Sequence, residues 1–130
     1  MHPLKGANSS ILCIEDNEKH LLLRRFVLEK NGYSVLNAAT ALEALALLRK
    51  FPVSLVISDH LLAGITGTEL AVDLKKIQPH VPILLYSGGA PETLGSVDCF
   101  MSKTEPVETF LAMVGDLVHR YLQDVVANRA

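Results

Sequence analysis

Short apolar runs that end on polar side chains alternate along this chain with longer stretches whose apolar residues recur at helical spacing. ILCI (11–14) stops at Glu15 and Asp16, and its β-branched character predicts a buried strand. In 17–32, Leu21, Leu22, Phe26 and Leu28 fall on a helical pattern that Asn31-Gly32 closes. YSVLNA (33–38) predicts a second strand, and TALEALALLRK (40–50) a helix with Thr40 as its cap and Glu43 as capping-box partner. VSLVIS (53–58) predicts a third strand, and TGTELAVDLKKIQ (66–78), closed by Pro79, a third helix. VPILLYS (81–87) and VDCFMS (97–102) predict two more strands. The last segment places Val107, Phe110, Leu111, Val114, Leu117, Val118, Tyr121, Leu122 and Val125 on one helical stripe, with Pro106 suited to the first turn.

Strands alternating with amphipathic helices predict an α/β fold, a doubly wound five-stranded parallel sheet with helices on both faces. GGAPETLGS (88–96) leaves room for only a short fourth helix, which is shortened or missing. The 130 residues fit one domain, 10–127, between a flexible N-terminal tail (1–9) and a C-terminal tail (128–130). Twelve basic and fourteen acidic side chains give a net charge of −2, and the absence of a basic block argues against direct nucleic-acid binding. Cys13 and Cys99 lie in apolar runs and read as reduced core residues, which favours the cytoplasm. The N-terminus lacks a signal-peptide core, and no apolar stretch reaches the roughly 18 residues of a membrane span. The expectation is a soluble intracellular protein.

Asp59 ends the third apolar run, where an ionised carboxylate is costly unless something pairs with it. In a doubly wound sheet, ligand chemistry collects at the carboxyl ends of the strands. That rule gathers Glu15 and Asp16 from the first strand, Asp59 from the third, Ser87 from the fourth and Lys103 after the fifth. Clustered carboxylates repel unless they take up protons or bind a cation, and hard oxygen ligands suit Mg²⁺. With the metal bound, Asp59 can stay ionised and attack a phosphoryl group whose oxygens the metal and Lys103 neutralise, while Ser87 donates a hydrogen bond to one of them.

The ordered set IEDN, ISDHLLAGITG, LLYSGG and CFMSK resembles the receiver domain of two-component response regulators, over roughly Ser10 to Val126. The resemblance implies a flavodoxin-like fold in which Glu15, Asp16, Asp59 and the backbone carbonyl of Leu61 bind Mg²⁺. It implies that Asp59 is the phosphoacceptor for a histidine kinase or histidine phosphotransfer protein, that Ser87 and Lys103 respond to the phosphoryl group, and that Phe100 is the switch aromatic. It further implies a stand-alone signalling domain in the cytoplasm, catalysing only its own phosphorylation and dephosphorylation. Such a domain would signal to a downstream protein or relay phosphate, and it leaves a homodimer open.

Three departures mark this sequence. Ala63 stands where the family usually has proline, while Gly64, Thr66 and Gly67 fit the loop and helix start. Thr104 follows Lys103 where the family has proline after a cis peptide, so this bond is either trans with a rearranged loop or strained. Ser87 and Lys103 are sixteen positions apart, shorter than the family's usual interval by more than a helical turn. The alternatives are a degenerate receiver that binds partners without phosphorylation, a phosphohydrolase, and a histidine phosphotransfer bundle. The phosphohydrolase would need an acid where Leu61 stands, and the strand-like runs oppose the bundle. His2, His20, His60, His80 and His119 show no ligand spacing and read as surface or loop residues, although His60 borders the acceptor and is placed to tune access to it.

Overall fold

A computed structural model describes residues 10–129 of the chain. The tail expected at 1–9 lies outside the described residues. Five parallel strands, β1 (Ser10–Ile14), β2 (Val35–Ala38), β3 (Val53–Ser58), β6 (Ile83–Ser87) and β7 (Cys99–Ser102), form one sheet in the order β2-β1-β3-β6-β7. The chain steps outward from β1 to β2, then returns past β1 to β3 and continues the other way. This reversal makes the carboxyl ends of β1 and β3 a topological switch point. Ile14 pairs with Ser58 in the register, and the Asp59 amide donates to the Ile14 carbonyl at 3.1 Å. The residues that follow the two strands, Glu15-Asp16 and Asp59, are thereby set side by side.

Period-two alternation divides the core between the sheet's faces. Leu12, Ile14, Val56, Ile83 and Leu85 pack under α2 (Ala41–Lys50) and α3 (Gly67–Ile77). Ile11, Cys13, Leu55, Ile57 and Leu84 pack under α1 (Glu18–Lys30) and α4 (Val107–Arg129). Every residue of β3 is buried, as a central strand covered on both faces requires. Thr40 caps α2, and Thr66 caps α3 in a reciprocal capping box with Glu69.

Residues 88–98 contain turns and bends but no helix, so of a shortened or a missing fourth helix the second holds, and the fourth crossover is irregular. Its far end is fastened by Asp98, whose Oδ2 accepts from the Ile83 amide at 2.7 Å and from Lys75 Nζ at 2.8 Å. A small antiparallel hairpin, β4 (Leu61–Leu62) with β5 (Ile65–Thr66), turns at Gly64, whose φ of 79° favours glycine. In α1 the inward stripe is Leu21, Arg24 and Leu28, whereas Leu22 and Phe26 are 55% and 61% exposed. Asn17 fixes this phase by accepting the His20 amide as the N-cap, and Arg24 can face inward because Glu15 and the Tyr86 ring receive it.

Both cysteines are free, but only Cys13 is fully in the core; Cys99, on the edge strand β7, is half-buried. Burial pushes the Cys13 thiol up to about 12, against the opposing pull of Arg24, which leaves it a small apolar residue rather than a nucleophile. On α4, Phe110, Val114, Leu117 and Val118 are buried, while Val107 is exposed and Tyr121, Leu122 and Val125 are only half-buried.

Candidate functional site

Glu15, Asp16 and Asp59 each offer a carboxylate oxygen, and the three oxygens lie within 4.8 Å of one another. Glu15 is 1% exposed, Asp59 half-buried and Asp16 exposed, so the cluster grades from core to solvent. Asp59 is held by its position: its amide is fixed to β1, and its Oδ1 accepts from the His60 amide at 2.7 Å. Gly67 closes the loop from the other side, donating its amide to the His60 carbonyl at 2.6 Å.

Lys103 reaches in from beyond β7, donating to Glu15 Oε1 at 2.7 Å and to Asp59 Oδ2 at 3.3 Å. Its own amide donates to the Ser87 carbonyl at 2.9 Å, so the ends of β6 and β7 hold the lysine and the buried Ser87 together. Burial alone would raise the Glu15 pKa, but the Lys103 ammonium, with the Asn17 amide bonded to Oε2, holds it below the usual carboxylate value. Three carboxylates with one oxygen each in mutual reach are the hard, anionic donor set that a small divalent cation prefers. Their chemistry therefore fits Mg²⁺.

Leu61 opens β4 two residues after Asp59, with its side chain exposed. Phe100 pairs in register with Leu85 and packs half-buried against the core under α2 and α3. The Lys103–Thr104 peptide is trans, as are all peptide bonds among the described residues. The loop is secured differently: the Thr104 amide donates to Ser102 Oγ at 3.2 Å, and the two hydroxyls lie 2.7 Å apart.

Two basic side chains stand near the cluster that the sequence expectations did not place there. Arg24 Nη2 lies 3.5 Å, and His20 Nδ1 3.6 Å, from Glu15 Oε1. His20 is thus a surface helix residue that borders the site, and His60 is half-buried. Arg24 had one legible signal, its place three residues after Leu21 and four before Leu28, on the stripe that faces the sheet.

The family model for the response regulator receiver domain matches residues 11–101. The chain belongs to this family. Receiver domains are the signalling modules of two-component systems, and phosphorylation and Mg²⁺ binding are general to them. The transcriptional regulatory protein GlrR of Escherichia coli K12 is 30% identical over 102 residues, covering 75% of this chain, which spans only 23% of that protein's length. The polar-differentiation response regulator DivK of Brucella ovis is 28% identical over 123 residues, covering 88% of this chain and 97% of DivK. A CheY-like receiver from Methanospirillum hungatei superposes with a TM-score of 0.83 at 24% identity, covering 90% of this chain and 98% of that one. The response regulator TrrA of Thermotoga maritima, solved with Mg²⁺ and beryllofluoride, gives a TM-score of 0.78 at 25% identity, covering 84% of this chain and 98% of TrrA. No described helix is long and apolar enough to cross a membrane. Lys103 lies just beyond the matched span, so its place in this receiver site rests on geometry.

Proposed function

We propose that residues 10–127 form one receiver domain in which Asp59 accepts a phosphoryl group from a histidine kinase or histidine phosphotransfer protein. The observation that carries this reading is the meeting of Asp59 with Glu15, Asp16 and Lys103 at the switch point of the sheet. An Asp59 carboxylate oxygen attacks phosphorus, the phosphorus–nitrogen bond of the donor phosphohistidine breaks, and its electron pair leaves with the imidazole. Glu15, Asp16, Asp59 and the Leu61 carbonyl would hold Mg²⁺, which when bound neutralises phosphoryl oxygens. Lys103 supplies a second positive charge at the same oxygens and Ser87 a hydroxyl donor. The aspartyl phosphate carries about two negative charges where the carboxylate carried one, at the ends of β3, β6 and β7, where Ser87 and Phe100 convey its arrival to a partner protein.

Beryllofluoride, a stand-in for the phosphoryl group, tests this assignment. Fluorine NMR of the protein with beryllofluoride and Mg²⁺ is expected to show a bound signal that disappears with chelator and in Asp59→Asn. Folded protein without that signal would favour the alternative, a degenerate receiver that binds partners independently of phosphorylation.

A further inference from the structure

Arg24 has none of the roles above, yet it is 6% exposed and faces the site. Its guanidinium stands 4.9 Å over the Tyr86 ring, and Tyr86 stacks on Phe110 with centroids 4.6 Å apart. Nε and Nη1 are buried without a hydrogen-bond partner, and Nη2 is 3.5 Å from Glu15 Oε1. A guanidinium buried with two unmatched nitrogens adds little to the fold that an apolar side chain of the same length would not. What it does change is Glu15. One oxygen of that carboxylate already faces Lys103 at 2.7 Å and His20 at 3.6 Å, and the same residue belongs to the acidic cluster.

We propose that Arg24 is a positioning residue that acts through Glu15, holding it as a counter-ion and thereby lowering the affinity of the cluster for a divalent cation. This rests on the metal reading given above. A bound cation draws Glu15 toward Asp16 and Asp59 and loosens its pairing with Arg24. The displaced guanidinium has somewhere to go: a groove of about 450 Å³, lined by Arg24, Lys103, His20, Tyr86 and Phe110 among others, opens beside it. Cation binding is thereby tied to the packing of Tyr86 on the first turns of α4.

The test is calorimetric titration of the whole chain with MgCl₂, without any phosphodonor. Arg24→Met, which keeps the length and removes the charge, is expected to bind Mg²⁺ about tenfold more tightly than wild type. Arg24→Lys, which keeps the charge, is expected to stay within about threefold of wild type. In a Glu15→Gln background the same Arg24→Met change is expected to alter the dissociation constant by less than about twofold, since the partner through which it acts is gone. Equal affinities of wild type and Arg24→Met would overturn the proposal and leave the metal reading standing. A tenfold gain that survives Glu15→Gln would also overturn it, because Arg24 would then act as a remote charge. Failure of every folded variant and of wild type to bind Mg²⁺ would overturn both. Should circular dichroism show Arg24→Met unfolded, Arg24→Gln carries the same expectation.

Discussion

Gly67→Ala is expected to destabilise the protein by about 3 kcal/mol, lowering the melting temperature by roughly 10–15 °C. A methyl group at this position would come 2.5 Å from the Asp59 carbonyl oxygen, 2.5 Å from Leu85 Cδ1 and 3.2 Å from His60 Cα. Two of these three neighbours are backbone, and the third is a side chain in a packed core, so none can yield freely. Relief requires α3 to move away from β3, which breaks the hydrogen bond from the Gly67 amide to His60 and displaces the Asp59 loop. The variant is therefore expected to lose reaction at Asp59 as well as stability. Gly88 and Gly89 are the controls: a methyl group there meets nothing within 4 Å, and alanine at either is expected to change stability by less than about 0.5 kcal/mol in thermal or urea unfolding. Equal effects at all three positions would refute the close-approach explanation.

Lys103→Met is expected to have the second large effect, about 3 kcal/mol of stability together with about a hundredfold slower phosphorylation. Glu15 is buried, and Lys103 is its shortest charged contact, at 2.7 Å. Removing the ammonium leaves a buried carboxylate to Arg24 and His20, both more than 3.4 Å away. The slower reaction has a separate cause, the loss of positive charge 3.3 Å from the Asp59 oxygen, where the phosphoryl group's charge has to be met. Lys103→Arg restores the charge and is expected to recover most of the stability, while its larger planar head group recovers the rate incompletely. Urea unfolding and acetyl-phosphate kinetics on the two variants separate the effects. Wild-type stability in Lys103→Met would contradict the role assigned to the Lys103–Glu15 pair.

The parts of this molecule legible in its sequence are those set by local pattern. The five sheet strands could be read because each is a short apolar run between breakers, and the meeting of Glu15, Asp16, Asp59 and Lys103 followed from asking what stands at the carboxyl ends of those runs. The short GGAPETLGS segment already left little room for a helix, and the structure has none there. What escapes is either too short to carry a period or depends on distance in space. The β4–β5 hairpin has two residues per strand, too few for any periodicity to register. The phase of α1 is hidden in the sequence because Leu22 and Phe26 are apolar and Arg24 is not; the partners that admit an arginine to the interior, Glu15 and Tyr86, are supplied by other elements. The Lys103–Thr104 bond is trans, and nothing in the local sequence distinguishes that from a strained cis bond.

The central claim, that Asp59 is an Mg²⁺-dependent phosphoacceptor, is tested most directly by intact mass after incubation with acetyl phosphate and MgCl₂. The account predicts the gain of one phosphoryl group, about 80 Da, in wild type and no gain with chelator or in folded Asp59→Asn. An adduct that persists in Asp59→Asn or forms equally well without divalent cation would contradict it.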